Sequence, residues 1–313
     1  MRSRLIAVAA GLALILTACG QRTARGPGPA NDDFRQRAGR AIAAWEAVGK
    51  PKAWTSGFVP LEELTLLPRD PGFTDTTRLA YRIGAYRLSG RLPENAPGRG
   101  TIRWPDGRTL SLPLSSAREA YAALDRGPMS RTVPDRSSPG TMPPDGATGA
   151  SAVPCPECDL TVTGARLGPV SLHTSRGVAQ VPAWWFTVPK LKSPVVRVAV
   201  RPETVGALPT PSTAPGGDPV YGLDAVPGDP RRLRVTVLTP DGECGARSVR
   251  SRVYESPHAI VVGSAVTGRT GDCPGFGAAR TLDVTLTGPV GGRVVLDTTG
   301  RPIRLGEHRP IPA

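Results

Sequence analysis

The chain has 313 residues, including 37 glycines and 35 prolines, which is enough for one large or two modest domains and excludes a fold built of long helices. Its formal net charge is +13 and its isoelectric point is near 10.4, values that favour an anionic polymer or anionic lipid as partner. Arginine supplies 35 of the 39 basic residues, a bias also typical of high-GC genomes. Codon usage is therefore an alternative explanation for part of the charge.

The first 18 residues have the layout of a secretory signal. Arg2 and Arg4 precede an apolar run over 5–16, and small residues then lead to Cys19. Leu16-Thr17-Ala18-Cys19 resembles the lipobox of bacterial lipoproteins, in which the cysteine receives a diacylglyceryl group and becomes the first residue of the mature chain. The sequence therefore predicts a signal peptide at 1–18, lipidation of Cys19 and attachment to the outer face of the cell membrane.

Two alternatives to this interpretation stay open. An uncleaved transmembrane anchor needs about 20 apolar residues, and the run here has roughly a dozen. A plain secretory signal followed by an incidental cysteine needs no lipid. Two acyl chains give a stable anchor, because each buried CH₂ contributes about 0.8 kcal/mol.

Export separates the protein from nucleic acid, so we expect no nucleic-acid partner.

The four cysteines besides Cys19 are an even set in an oxidising compartment, which predicts two disulfides. Four cysteines allow three pairings. We expect local pairing, Cys155 with Cys158 and Cys244 with Cys273.

Composition and periodicity predict a mainly β fold of the α+β class, with an N-terminal β-rich domain containing two helices and a small C-terminal antiparallel β domain. A tether covers 19–31 and a Pro-rich linker covers 202–230. The N-terminal domain spans 32–201 and contains a Gly/Pro/Ser/Thr-rich insertion at 127–154, which we predict to be disordered. Whether this insertion divides 32–201 into two domains stays open, and we favour a loop within one. The C-terminal domain spans 231–313.

The first predicted helix covers 33–48, because apolar residues recur there at helical spacing: Phe34, Ala38, Ile42 (or Ala41), Trp45 and Val48. Strands are predicted within 58–114, including 78–88, and a β-hairpin joins 101–104 to 108–112 through a Pro-Asp-Gly turn. The second helix begins at Ser116, which forms a capping box with Glu119, and ends by Gly127.

Further strands are predicted at 160–165, 170–174, 178–188 and 195–200. The third contains Trp184 and Trp185, which favour either a core position or a sugar-stacking platform. The C-terminal domain is predicted to have about five strands, at 233–237, 249–255, 259–266, 282–286 and 293–297.

Several of these stretches resemble a family of actinobacterial secreted lipoproteins of unknown function. The similar segments are 161–165, 174–177, 181–184, Cys244, 253–255, Cys273, 280–284 and 292–302. The resemblance covers about half of the mature chain, and it implies an exported, β-rich protein. It implies no activity and no functional residue.

Few residues indicate chemistry. Cys155-Pro156-Glu157-Cys158 has thiol-oxidoreductase spacing, but a strand pattern follows it where such a motif needs a helix. Hydrolase, nucleotide and metalloprotease motifs are absent from the sequence, and we expect no metal and no cofactor. A Ser/His/Asp set remains conceivable around His173, with Ser171, Ser175 and Asp159 close in sequence. A surface histidine is the simpler interpretation.

Arg232 and Arg234 alternate on one predicted strand, and Arg250 and Arg252 alternate on another. On neighbouring strands these like charges would destabilise the sheet unless an anionic cell-envelope polymer, or Asp283 and Glu255, neutralised them. The sequence thus leaves two hypotheses. The first is a surface-anchored, non-enzymatic binding or accessory module, and the second is an exported enzyme, either a thiol-disulfide oxidoreductase or an unrecognised hydrolase.

Overall fold

The computed structural model describes residues 29–66, 70–95, 97–125, 132–134, 152–154, 159–211, 216–240, 248–267 and 277–311. Strands make up 45% and helices 17%, so the predicted β-rich α+β fold is confirmed. The predicted signal peptide and all five cysteines, Cys19, Cys155, Cys158, Cys244 and Cys273, lie outside the described residues. Lipidation and disulfide pairing therefore stay predictions.

Two helices were expected, and the described residues contain four: α1 Pro29–Ala47, α2 Lys52–Ser56, α3 Asp75–Ile83 and α4 Ala117–Ala122. The capping box of α4 is present, because the Ser116 hydroxyl accepts a hydrogen bond from the Glu119 backbone N–H and the Glu119 carboxylate accepts one from the Ser116 backbone N–H. That carboxylate therefore has a lowered pKa.

Helix α3 replaces the first half of the strand predicted at 78–88. Thr74 and Thr77 form a capping box at its start, and Gly84 ends it in the left-handed conformation with φ of 70°. These two caps set the helical conformation, although the apolar residues between them also suit a strand. Only 86–88 of the predicted strand is extended.

The N-terminal half is built on a six-stranded sheet. Five strands follow the order β1-β10-β9-β3-β4, and β8 also pairs with β9. Two further strands, β2 and β7, pair in parallel beside it. The bounds of these strands are β1 Thr65–Leu66, β2 Tyr86–Leu88, β3 Arg99–Arg103, β4 Thr109–Pro113, β7 Leu160–Val162, β8 Gly164–Thr174, β9 Gly177–Thr187 and β10 Val195–Val198.

The predicted hairpin is β3–β4, with Thr101 opposite Ser111. Gly107 in its turn has φ of 81°, which glycine adopts without a steric penalty. Two short strands, β5 Thr132–Pro134 and β6 Ala152–Pro154, pair within the insertion predicted to be disordered. Each carries one β-branched valine, and the rest of that insertion lies outside the described residues.

The C-terminal half contains eight strands where about five were predicted. They form two four-stranded sheets, β15-β12-β11-β18 and β13-β14-β16-β17, and β14 pairs with β16 in parallel. A common apolar core includes Leu233 and Val235 of the first sheet and Ile260 and Val262 of the second. The strands are β11 Val220–Val226, β12 Asp229–Pro240, β13 Ser248–Glu255, β14 Ala259–Thr267, β15 Gly277–Thr285, β16 Val294–Leu296, β17 Pro302–Ile303 and β18 Glu307–His308.

Strand β11 falls within the segment predicted as a linker at 202–230. Its pairing with β12 along most of its length buries Val220 and Leu223 in the C-terminal core. The linker prediction was based on the high proline content of 202–230. The prolines of this segment lie before and after β11 and not within it, so they do not interrupt the strand.

Helix α1 packs on the C-terminal sheet, although most of its sequence lies in the predicted N-terminal domain at 32–201. Its apolar face contacts β14 and β16 through one cluster of buried residues: Phe34, Ala38, Ala41, Trp45, Ala259, Val261, Val294 and Leu296. Val48 was expected on the same face but is 44% exposed, because the helix ends at Ala47. The two halves of the chain are therefore joined by more than a linker.

The segment 59–66 runs between the two halves and hydrogen-bonds to both. The Leu61 N–H donates to the carbonyl of His173 in β8, and the Leu61 carbonyl accepts from the N–H of Leu305 beyond β17. The Glu63 N–H donates to the Leu305 carbonyl. This segment fixes how the halves meet and positions the cleft between them.

Candidate ligand-binding cleft

A cleft of about 630 Å³ opens where the N-terminal sheet faces the β11–β12 hairpin. Residues 224–230 of that hairpin form one side, and strands β1, β8, β9 and β10 contribute the rest together with Glu62, Ser193, Pro194, Leu305 and Gly306. Pockets that hold small ligands typically enclose about 300–1,000 Å³. The cleft is therefore large enough for a small organic molecule.

The apolar floor of the cleft is a row of side chains from adjacent strands. Leu66 of β1 lies opposite Val196 of β10, and Val196 lies opposite Trp185 of β9. The register continues beyond the floor to Arg166 of β8, which is not among the residues that line the cleft and whose guanidinium lies 4.9 Å from the centroid of the Trp185 ring. Directly opposed residues project from the same face of a sheet, so the register itself builds this row.

His173 and Glu62 form the first polar pair in the cleft. One carboxylate oxygen of Glu62 lies 3.1 Å from the backbone nitrogen of His173 and 3.1 Å from its ring Nδ1. Both side chains are less than one-third exposed. The pair joins the segment 59–66 to β8, and it holds the carboxylate in a single orientation.

Asp224 and Asp229 bring two further carboxylates from the hairpin. Asp224 Oδ1 lies 3.0 Å from Nε2 of His308 in β18, and Asp229 Oδ1 accepts a hydrogen bond from the Arg231 N–H. Among the described residues that line the cleft, none is lysine or arginine. In a chain with a formal charge of +13, the cleft is a local region of acidic side chains.

Ser171, His173 and Ser175 of the predicted Ser/His/Asp set are hydrogen-bonded to other residues rather than to one another, although Ser171 and His173 both line the cleft. The Ser171 hydroxyl accepts a hydrogen bond from Gln180 Nε2, and the Ser175 hydroxyl donates to the Trp54 carbonyl. His173 instead has Glu62 as its carboxylate partner. Asp159 is not among the described residues that line the cleft.

The adjacent tryptophans have different environments. Trp184 is 3% exposed and its Nε1–H donates to the Ser115 carbonyl, so it belongs to the core. Trp185 is half-buried and lies on the floor of the cleft. Successive residues of a strand point to opposite faces, which explains why only one of the two is available to a ligand.

The four arginines of the predicted basic face lie on two different sheets. Arg232 and Arg234 are on β12, whose neighbours are β11 and β15, whereas Arg250 and Arg252 are on β13. Asp283 of β15 lies 3.3 Å from Arg232 and 3.7 Å from Arg234, so a carboxylate of the chain neutralises that pair in part.

Glu255 does not serve the predicted basic face. Its carboxylate lies 2.8 Å from Arg293 Nη1, and it also accepts the Thr287 N–H. Burial raises the pKa of Glu255, but the hydrogen bonds from Thr287 and Arg293 outweigh burial and lower its pKa below 4.5. This pair stabilises the C-terminal half, away from the cleft.

Sequence reasoning found His173 but missed its partner Glu62 and both hairpin aspartates. Asp224 lies in the segment taken for a linker, and Glu62 lies 111 residues from His173. No local pattern connects such residues. The residues of the cleft that the sequence did single out are Ser171, His173 and Trp185.

The chain matches no protein-family model, no curated protein and no solved structure. The resemblance to secreted lipoproteins therefore stays a prediction. Among the described residues, no helix is both long enough and apolar enough to span a membrane.

Proposed function

We propose that the protein is a lipoprotein anchored through Cys19 to the outer face of the cell membrane, and that it acts as a non-enzymatic binding or accessory module. The cleft is the observation that carries this proposal. It combines an apolar floor with a few oriented polar groups, which is the usual composition of a small-ligand site.

The environment of the polar groups favours binding over catalysis. A hydroxyl nucleophile needs a base within hydrogen-bond reach. Among the described residues, the Ser171 hydroxyl is bonded to Gln180 and the Ser175 hydroxyl to the Trp54 carbonyl, and neither is bonded to the His173 ring. The alternative oxidoreductase uses Cys155 and Cys158, which lie outside the described residues.

The cleft is tested with a neutral probe, 1-naphthylmethanol, titrated calorimetrically into the full lipoprotein in zwitterionic nanodiscs, with empty nanodiscs as the blank. We expect saturable binding with one site per chain. Val178→Trp fills the cleft and is expected to abolish binding, because Val178 lines it. Leu167→Trp is the matched control, since Leu167 is 41% exposed and does not line the cleft.

The proposal fails if the probe does not saturate, or if Val178→Trp binds it as tightly as the unsubstituted chain does. Thermal melting of each variant establishes that it is folded.

The anchor is tested separately with Cys19→Ala, which we expect to abolish incorporation of a labelled fatty acid and to release the protein from the membrane-bound lipoprotein fraction. Continued labelling of that variant contradicts lipidation at Cys19.

A further inference from the structure

We infer that the cleft selects a small organic cation, in which an amine or guanidinium group is attached to an aromatic or aliphatic body. This inference rests on the proposed binding function, and it adds the chemical class of the ligand. Three features of the cleft support it: the acidic side chains of its lining, the fixed positions of two of its carboxylates and its apolar floor.

The charge of the cleft is opposite to that of the whole protein. Glu62, Asp224 and Asp229 line it, and the described lining residues include no lysine or arginine. The chain as a whole carries 39 basic and 26 acidic residues. At long range the protein repels cations and attracts anions, so a preference for a cation can arise only from short-range contacts within the cleft.

Two of the carboxylates are held in place before any ligand arrives. His173 fixes Glu62 through two contacts of 3.1 Å, and His308 fixes Asp224 through one of 3.0 Å. These contacts hold each carboxylate in one orientation. Fixed acceptors bind a cation at a smaller entropic cost than mobile side chains do.

The floor suits the body of such a ligand. Leu66, Val196 and Trp185 provide a continuous apolar row, and Val178 extends the apolar lining at β9. The face of an indole ring attracts cations through its quadrupole. The Arg166 guanidinium already lies 4.9 Å from the centroid of the Trp185 ring and adds a positive charge beside the cleft, so the preference for a cation must come from the cleft carboxylates rather than from this ring.

The inference is tested with three probes that share one ring system: 1-naphthylmethylamine, 1-naphthylmethanol and 1-naphthoate. Each is titrated into the full lipoprotein in zwitterionic nanodiscs. We expect the amine to bind about ten-fold more tightly than the alcohol, because its ammonium group is attracted by the cleft carboxylates. The naphthoate should bind most weakly, because those carboxylates repel its negative charge.

Substitutions locate the preference. Glu62→Gln, Asp224→Asn and Asp229→Asn are each expected to reduce the amine-to-alcohol affinity ratio about two-fold, and the triple variant to bring it close to one. Glu94→Gln is the matched control, since Glu94 is exposed and does not line the cleft. It is expected to leave the ratio unchanged. Affinity for the alcohol should not fall in any of these variants, which also shows that the cleft remains folded.

The possible failures are distinguishable. If the alcohol does not bind, the proposed binding function is wrong. If the alcohol binds and the amine binds no more tightly, or the carboxylate binds best, the cleft is a site but the inference about its ligand is wrong. A preference for the amine that persists in the triple variant also overturns the inference, because the three cleft carboxylates are then not its cause.

Discussion

One carboxylate oxygen of Glu62 contacts both the backbone nitrogen and the ring Nδ1 of His173, each at 3.1 Å. The contact connects the segment 59–66 to the edge of β8, and residues of both line the cleft. It is therefore a structural contact and a binding-site contact at the same time. Removing it should affect stability as well as the cleft.

We expect Glu62→Ala to lower the free energy of unfolding by about 1–3 kcal/mol, because the part-buried N–H and ring nitrogen of His173 lose their acceptor. Urea unfolding measures the change. Glu94→Ala removes an exposed glutamate and should stay within about 0.5 kcal/mol of the unsubstituted protein. Equal effects of the two substitutions would show that the Glu62 contact contributes nothing specific.

Acid should destabilise the protein partly through Glu255. Hydrogen bonds from Thr287 and Arg293 lower its pKa below 4.5 in the folded state, despite the opposing effect of burial. A carboxyl group with a lowered folded pKa contributes stability above its unfolded pKa, and that contribution disappears as the pH falls through the folded value. The loss should therefore begin below about pH 4.5.

Glu255→Gln tests this contribution. We expect the variant to be less stable at pH 7 by about 1–2 kcal/mol, since Arg293 keeps a weaker acceptor. The difference between the two proteins should shrink as the pH is lowered from 6 to 3. Chemical unfolding at each pH gives the two curves, and parallel curves would contradict the assigned role.

The packing of α1 on the C-terminal sheet predicts a large effect of Trp45→Ala. Trp45 is 2% exposed and its ring centroid lies 5.6 Å from that of Trp54. Truncating a buried tryptophan costs about 3–5 kcal/mol. Val48→Ala just beyond the same helix should cost less than about 0.5 kcal/mol, because Val48 is 44% exposed. If Trp45→Ala and Val48→Ala lowered the free energy of unfolding equally in thermal unfolding, α1 would not be packed on the C-terminal sheet.

Asp297 should be required for the turn between β16 and β17. Its carboxylate is fully buried and accepts the backbone N–H groups of Thr299 and Arg301 at 3.0 and 3.1 Å. We expect Asp297→Ala to cost about 3 kcal/mol and Asp297→Asn to cost less, since asparagine keeps one acceptor oxygen. Denaturant unfolding ranks the two variants, and the reverse order would contradict this role.

Asp283 forms ion pairs with Arg232 and Arg234, and we expect these pairs to weaken any attraction of the two arginines for an anionic polymer. Removing its charge with Asp283→Asn should therefore strengthen retention on an immobilised polyanion and shift elution to higher salt. Asp75→Asn, an exposed aspartate at the start of α3, changes the net charge equally and is the control. Identical elution of the two variants would show that retention follows net charge alone.

Local patterns in the sequence predicted much of the secondary structure. The Ser116 capping box predicted α4, and the Pro-Asp-Gly turn predicted the β3–β4 hairpin, because each motif satisfies its hydrogen bonds within a few residues. The spacing of Phe34, Ala38 and Trp45 predicted α1 for a similar reason. Where two conformations suit the same apolar pattern, as at 78–83, the caps at Thr74 and Gly84 decided for the helix.

The sequence by itself therefore determined the β-rich fold class, the helices with clear spacing or caps, and the hypothesis of an exported lipoprotein. Tertiary structure alone decided that α1 packs on the C-terminal sheet, that β11 joins that sheet, and that Glu62 meets His173. The physical reason is range. Hydrogen-bonded turns and helical periodicity act over a few residues, whereas the cleft forms between residues far apart in the chain whose contact depends on the register of whole sheets.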